Sequence, residues 1–197
     1  MKVLFLFMSL CTAALTASLA CNPLATWSDT PAAGESRPIN CVDWYQSFAF
    51  CIWDGGRLPT EAENNFASAG GAEQRVYPWS QPPSSTVIDD TYAVYGCTTR
   101  DGGCTAADPP SVGSRSPKGD GRWGHSDLSG SVNDWIFDES GPYPSPCVDC
   151  ANLPPASGGR RVKRGEDFVS ALFLRTDGRD SDLASFVYVC GGFRCAR

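Results

Sequence analysis

The 197-residue sequence has very little histidine and lacks the usual signatures of cofactor-binding enzymes. His125 is the only histidine, so we expect no zinc site built from histidine and cysteine. Its neighbours Ser126 and Asp127 do not predict a catalytic triad, because a triad needs side chains that converge from separate parts of the chain. No phosphate-binding loop or dinucleotide fingerprint occurs in the sequence. His125 is therefore interpreted as a loop residue.

Basic charge is also scarce. The sequence has 16 Lys and Arg against 22 Asp and Glu, with a formal net charge of -6. This balance provides no general attraction for nucleic acid or for an anionic membrane, and we expect no nucleic-acid partner. The one basic run, Arg160–Arg164, is interpreted as a solvated strand edge rather than as a polyanion site.

Strongly apolar sequence is concentrated near the N-terminus, where Lys2 precedes an apolar run over residues 3–8 and small residues follow up to Ala20. This layout predicts a signal peptide over residues 1–20, too short to span a membrane, and hence export to the periplasm, the cell surface or the medium. Cys21 leaves a lipoprotein open, and the protein would contact a membrane only if Cys21 were lipidated. Alternatively, Met1 is a false start within a longer reading frame.

The rest of the chain is rich in cysteine, glycine and proline, with 10, 20 and 15 residues. This composition is typical of a loop-rich domain stapled by disulfides in an oxidising compartment. The length favours one domain, residues 21–197. Residues 77–121 have little periodicity and are predicted to form long surface loops. Short strands are predicted around residues 132–137, 161–164, 168–174 and 186–189.

Two helices are predicted from capping and spacing. The first follows the N-cap Asp43 and stops at Gly55, and its apolar, buried positions are Trp44, Phe48, Cys51 and Ile52. The second begins at Thr60, because Thr60 and Glu63 have the spacing of a capping box, and it ends at Gly70 and Gly71.

Four separated motifs then occur in a specific order. They are RPINCVDW (37–44) with AFCIW (49–53) and GRLPTEAE (56–63), DLSGSVNDW (127–135), RVKRG (161–165), and the terminal GFRCAR (192–197). Together they resemble the formylglycine-generating enzyme (sulfatase-modifying factor) family. The resemblance implies an α+β domain with that family's variant of the C-type-lectin-like fold, low in regular secondary structure. A family stretch before the first motif is missing, so we expect an N-terminally abbreviated domain.

The resemblance also implies a disulfide between Cys51 and Cys195. The other pairs expected from their positions along the chain are Cys97–Cys104, Cys147–Cys150 and Cys21–Cys41. The Cys147–Cys150 spacing resembles a redox motif, but no βαβ pattern surrounds it, so we interpret it as a local clasp. These pairings leave Cys190 over.

In the family, oxidation of a substrate cysteine uses two cysteines separated by four residues, which bind copper(I). Cys190 and Cys195 have this spacing, but Cys195 belongs to the structural motif GFRCAR. The stretch that matches the family's catalytic segment, residues 169–173, has no cysteine. We therefore assign no catalytic residue and expect no copper chemistry.

The motif over residues 127–135 resembles a calcium-binding loop of the family. The ligands that the resemblance implies are Asp127, Leu128, Gly130, Val132 and Asp134, where Asp134 replaces a glutamate. Carboxylate and carbonyl oxygens are the ligands that calcium prefers. The alternative is that Asp127 and Asp134 are only turn and surface acids.

Several positions depart from the family pattern, among them Asn64, Asn133, Glu166 and Asp167. Together with the missing cysteines they favour a calcium-stabilised binding or accessory module for an unknown protein or saccharide ligand. Two alternatives remain: an active oxidase that uses unfamiliar residues such as Cys190, and a fragment of a larger enzyme.

Overall fold

The computed structural model describes residues 25–27, 34–97, 109–146, 148, 150–153, 159–169, 171 and 173–197. The predicted signal peptide over residues 1–20 lies outside this part of the chain. Within it, regular structure is limited to two α-helices, one 3-10 turn and four strands. They are α1 (Trp44–Trp53), α2 (Glu61–Ser68), the turn Gly71–Glu73, β1 (Asn133–Glu139), β2 (Arg160–Arg164), β3 (Asp180–Leu183) and β4 (Gly191–Gly192).

Both helices begin with the predicted capping residues. Before α1, the Asp43 carboxylate accepts a hydrogen bond from the Gln46 amide at 2.8 Å, and the Gln46 side chain accepts from the Asp43 amide at 2.9 Å. Before α2, Thr60 and Glu63 make the same reciprocal pair. These bonds satisfy amides that an isolated helix end leaves without partners, which explains why the starts were predictable.

One prediction for α1 is wrong, namely that Ile52 is a buried position. Ile52 is 54% exposed, whereas Trp44, Ser47 and Cys51 are buried. The buried stripe follows the positions three and four residues apart from Trp44 to Cys51, and Ile52 lies beyond its edge.

The four strands form one mixed sheet in the order β3-β2-β1-β4. Strand β2 pairs antiparallel with both β1 and β3, and β1 pairs parallel with β4. The basic run is therefore an inner strand, and the prediction of a solvated edge is wrong. Lys163 and Arg164 are 3% and 4% exposed because both are held in ion pairs, Lys163 with Asp180 and Arg164 with Glu61.

The strands predicted around residues 168–174 and 186–189 do not form in the described parts of those segments. Phe168 hydrogen-bonds instead to two loops: its amide donates to the Ser131 carbonyl at 3.0 Å, and its carbonyl accepts from the Cys97 amide at 2.9 Å. The strands that form in this half of the chain, β3 and β4, lie after the first and the second of those segments, respectively, and consist largely of aspartate and glycine, which are depleted in strands. As predicted, residues 77–97 and 109–121 contain no helix or strand.

The core lies between α1 and the sheet. Trp135 of β1 is fully buried, and its indole N–H donates to the Val42 carbonyl at 3.0 Å. The indole of Trp44 donates in turn to the Ile136 carbonyl of β1 at 2.7 Å. These two bonds join the first helix to the central strand. No helix in the described part of the chain is long and apolar enough to cross a membrane.

Candidate functional site

The cysteine at the end of the chain is part of a disulfide. Cys51 in α1 and Cys195 are bridged, with an S–S distance of 2.02 Å and a Cα–Cα distance of 5.4 Å. This is the pair that the resemblance implied. It attaches the C-terminal motif to the first helix, and Arg57, which follows that helix, forms a backbone bridge with Ala196. Cys195 therefore has no thiol for chemistry.

Cys190 is a buried thiol, 4% exposed, just before β4. Burial raises its pKa well above the ordinary value, and the neighbouring Asp167 carboxylate raises it further. Nucleophilic attack and metal binding by cysteine both require the thiolate. The pair at the family's catalytic spacing thus consists of one bridged sulfur and one protonated thiol, which does not fit a copper(I) ion held by two thiolates.

The three other predicted disulfides involve cysteines of which the structure describes only some. Cys97 and Cys150 are each in a disulfide, while their expected partners, Cys104 and Cys147, lie outside the described residues. Cys41 is a fully buried thiol, so the expected bridge from Cys21 to Cys41 is wrong. The side-chain amide of the preceding residue, Asn40, donates to the Val189 carbonyl at 2.8 Å, which holds this buried segment against the chain leading into β4.

At the predicted calcium loop, the structure brings Asp127 and Asp134 together and adds a residue that the sequence did not suggest. The guanidinium of Arg194 binds the Asp134 carboxylate and donates to the carbonyls of Ser126, at 3.4 Å, and Asp127, at 2.7 Å. Burial raises the pKa of Asp134; Arg194 opposes this rise and the nearby Asp127 charge adds to it. A cationic group thus already lies between the carboxylate and the loop carbonyls.

The other predicted calcium ligands form the inside of the same loop. Leu128 and Val132 are 2% and 8% exposed, and the Gly130 amide donates to the Gly165 carbonyl at 2.6 Å. Asp127 uses Oδ2 to accept from the Gly113 amide at 2.6 Å. The formal charges of Asp127, Asp134 and Arg194 sum to one negative charge. The oxygen donors suit calcium, but Arg194 leaves the loop with less negative charge than strong sites carry.

A cavity of about 530 Å³ opens beside α2 and the end of β1. Its floor is a buried ion cluster around Glu61, which is 4% exposed. Glu61 Oε1 accepts from Arg164 Nη2 and from Arg179 Nε, both at 2.7 Å, and Oε2 accepts from Arg179 Nη2 at 2.9 Å. One carboxylate that is bound by two guanidinium groups fixes α2 to β2 and to the segment entering β3.

Two loop residues complete this cavity. The Tyr143 hydroxyl lies 3.2 Å from Glu61 Oε1, and the Asn152 amide donates to Asp138 Oδ1 at 2.7 Å. Asp138 Oδ2 accepts from the Glu61 amide at 2.8 Å, so Asp138 joins the start of α2 to this loop. Burial raises the pKa of Asp138. Glu61 and Arg164 stand in the motifs GRLPTEAE and RVKRG, whereas Tyr143, Asn152 and Arg179 lie outside the motifs.

Two departures from the family pattern are coupled in space. The Asn133 side chain donates to Asp167 Oδ2 at 2.8 Å, and both residues are buried. Glu166 has a left-handed φ of 54°, and its carboxylate accepts from the Phe173 amide at 2.6 Å. The substituted residues Asn133 and Asp167 are thus bound to each other, and Glu166 is bound to the backbone of Phe173.

The capped helices, the short mixed sheet and the terminal disulfide define an α+β domain with the formylglycine-generating enzyme variant of the C-type-lectin-like fold. Residues 22–197 match the model of the sulfatase-modifying factor enzyme 1-like domain. The chain belongs to this family.

Its relatives differ in their named activities. The chain is 28% identical over 194 residues to the formylglycine-generating enzyme of Thermomonospora curvata, covering 88% of this chain and 62% of that protein. It is 28% identical over 196 residues to the inactive C-alpha-formylglycine-generating enzyme 2 of Mus musculus, covering 88% and 55%. It is 31% identical over 175 residues to the hercynine oxygenase of Mycobacterium tuberculosis, covering 85% and 38%. The chain thus spans about four tenths to six tenths of the length of these relatives.

Solved structures agree on the fold. PvdO from Pseudomonas aeruginosa superposes with a TM-score of 0.64 at 19% identity, covering 85% of this chain and 62% of that one. Treponema denticola variable protein 1 superposes with a TM-score of 0.62 at 23% identity, covering 87% and 76%.

Proposed function

We propose that this chain is an exported member of the family that has no copper-dependent cysteine oxidase activity and acts as a binding or accessory module. The observation that carries the proposal is the state of its cysteine pair. Cys195 is bridged to Cys51, and Cys190 is a buried thiol whose pKa is raised. Two thiolates at the family's spacing are therefore not available.

The surroundings of the catalytic region support the same proposal. Asn133 and Asp167 are hydrogen-bonded to each other, and the Glu166 carboxylate is bound by the backbone amide of Phe173, so these substituted residues are engaged in contacts within the domain. One relative carries the name of an inactive formylglycine-generating enzyme, so a family member without that activity has precedent.

Export is supported by the covalent cross-links. Cys51, Cys195, Cys97 and Cys150 all take part in disulfides, and such bonds persist in oxidising compartments. A signal peptide over residues 1–20 accounts for export, and lipidation of Cys21 would add a membrane anchor. The ligand of the module is a protein or a saccharide.

The deciding experiment incubates the purified chain with copper(I), oxygen and a peptide that contains Cys-x-Pro-x-Arg. We expect mass spectrometry to show the peptide cysteine unchanged, whereas an active family member run in parallel converts it to the aldehyde. Aldehyde formation by this chain would overturn the proposal in favour of an active oxidase. Loss of that activity in a Cys190→Ser variant would then identify the thiol responsible.

The proposal includes weak binding of calcium by the loop around Asp127 and Asp134. Because Arg194 already neutralises Asp134, we expect a small rise in melting temperature that needs millimolar calcium. Asp127→Asn should abolish the rise, and Asp177→Asn, at an exposed aspartate elsewhere, should leave it unchanged. A melting temperature that does not respond to calcium would remove the metal from the proposal.

A further inference from the structure

We propose that the cavity between α2, Tyr143 and Arg179, called the Tyr143 cavity below, binds a short neutral saccharide. The inference rests on the proposed binding function and supplies its ligand class. It is argued from the donors, the acceptors, the charge and the apolar surface that line the cavity.

The acceptors are amide oxygens. The side-chain NH2 groups of Asn65, Gln74 and Asn152 donate to the backbone carbonyls of Thr176, Gly71 and Glu139, at 2.9, 2.8 and 3.0 Å. All three residues line the cavity. Since each NH2 group is bound to the backbone, the oxygen of each amide is the atom able to accept a hydrogen bond from a ligand.

The donors come from Arg179. Arg164 has all five of its N–H groups bound, to Glu61, Tyr143, Thr176 and Gly178. Arg179 uses three, two to Glu61 and one to the Gly141 carbonyl, so within the described part of the chain two of its N–H groups remain for a ligand. A sugar hydroxyl both donates and accepts, and the lining supplies partners for both roles.

The charges of the cavity floor cancel. Glu61 and Asp138 carry two negative charges, and Arg164 and Arg179 carry two positive charges. At the rim, Asp177 is paired with Arg175, 3.0 Å away. An ionic ligand would find no excess of opposite charge here, whereas a neutral polar ligand exchanges its hydrogen bonds with water for bonds to fixed groups.

The apolar contact comes from Tyr143, which is 61% exposed. The Arg179 guanidinium lies 4.7 Å from the centre of its ring and covers one face. Pro142 and Pro144 line the cavity on either side of Tyr143 in the chain. The C–H face of a pyranose packs against such an exposed ring. The volume of about 530 Å³ lies within the usual range for small-ligand sites and holds one or two sugar rings.

The test titrates the full chain with neutral hexoses, N-acetylhexosamines and their disaccharides, using saturation-transfer NMR and calorimetry. We expect at least one sugar to bind. Tyr143→Ala should lower its affinity roughly tenfold, and Tyr143→Phe, which keeps the ring, should lower it no more than about threefold. Gln74→Ala at an exposed position should lower it by a similar small factor. The matched control is Tyr45→Ala, which removes an exposed tyrosine on α1, 52% exposed, and should leave affinity unchanged.

Two results would overturn the inference: no binding by any sugar of the panel, or binding that Tyr143→Ala and Gln74→Ala both leave unchanged. Melting temperatures of all variants show whether a lost affinity reflects unfolding, and Gln74→Ala carries the test if Tyr143→Ala does not fold. Free arginine and free glutamate serve as charged probes. If no sugar binds and one of these charged probes does, the first of the two results is obtained and the ligand class is ionic rather than saccharide. Failure here leaves the non-oxidising proposal intact, because that proposal stands or falls on the aldehyde assay.

Discussion

At Cys190 two effects act in the same direction. The side chain is removed from water, and the Asp167 carboxylate lies beside it, so both burial and charge raise its pKa. By their spacing alone, Cys190 and Cys195 resemble the family's catalytic pair of cysteines. The surroundings of the two sulfurs, which the spacing does not report, distinguish them from such a pair.

We therefore expect Cys190 to resist alkylation by iodoacetamide in the native protein, even at mildly alkaline pH, because its thiol stays protonated and inaccessible. Peptide mapping by mass spectrometry measures the modified fraction. The same reaction in guanidinium chloride should label Cys190 fully and serves as the control. Rapid labelling of the native protein would contradict the buried position.

Arg194 is the second residue whose role depends on its surroundings. It neutralises Asp134, whose side chain is 5% exposed, while Arg194 itself remains 29% exposed. Arg194→Gln would leave a buried carboxylate without its charged partner. We expect a loss of about 3 kcal/mol in the free energy of unfolding, at the low end for a broken buried pair because Arg194 is partly solvated. Urea denaturation measures it.

Arg197→Gln is the matched control, because Arg197 pairs with Asp54 at the surface and is 67% exposed. That change should cost less than about 1 kcal/mol. Adding Asp134→Asn to Arg194→Gln should recover part of the lost stability. Equal effects of the two arginine changes would show that Asp134 does not depend on Arg194.

Among the elements, α2 owes its start to one glutamate with two tasks. Glu63 closes the capping box with Thr60, and it forms an ion pair with Arg57 at 2.5 Å. The hydrogen bonds from Arg57 lower the pKa of Glu63 from its ordinary 4.5 to about 2. Because the folded pKa is the lower one, this stabilisation is complete above about pH 4.5 and is lost as the pH falls towards 2.

We expect Glu63→Gln to reduce the decline in stability between about pH 4.5 and 2, since glutamine keeps a capping acceptor but does not titrate. The effect should stay below about 1 kcal/mol because both partners of the pair are more than 40% exposed. Urea midpoints across this range, for the natural chain and the variant, measure it. Identical pH profiles would show that Glu63 contributes no pH-dependent stability.

Strand β4 is an example of an element that could not be predicted from the sequence. It consists of Gly191 and Gly192, and a Cβ at Gly192 would lie 2.6 Å from the Ile39 carbonyl oxygen and 2.7 Å from the Val132 side chain. Glycine is present because the backbone passes too close to its neighbours for any other residue. The same property makes the segment look like a turn when only the sequence is read.

For the whole molecule, the disulfide between Cys51 and Cys195 closes most of the chain into one loop, with a sequence separation of 144. In the chain-entropy model such a bridge stabilises the fold by about 4 to 5 kcal/mol. We expect the double variant Cys51→Ser, Cys195→Ser to lose stability of this order in urea denaturation. Cys41→Ser provides a comparison, because Cys41 is buried but has no disulfide. A double variant as stable as the natural chain would contradict the model.

The family, the fold class, both helix starts, β1, β2 and the Cys51–Cys195 bridge were predictable because each depends on local order or on motifs that survive in sequence. The burial of Lys163 and Arg164, strands β3 and β4 and the exposure of Ile52 were not predictable. Lys163 and Arg164 are buried because they form ion pairs with Asp180 and Glu61, which lie in distant segments of the chain.

The sequence by itself determined that the chain belongs to this family, and its resemblance to the family predicts no cysteine in the segment, residues 169–173, that matches the catalytic one. Tertiary structure decided the rest. It closed Cys195 into a bridge, enclosed Cys190 beside Asp167, brought Arg194 to the predicted calcium loop and assembled a neutral polar cavity around Glu61. Motif and spacing record which residues are near in the chain, whereas protonation, charge balance and cavity shape depend on which residues are near in space.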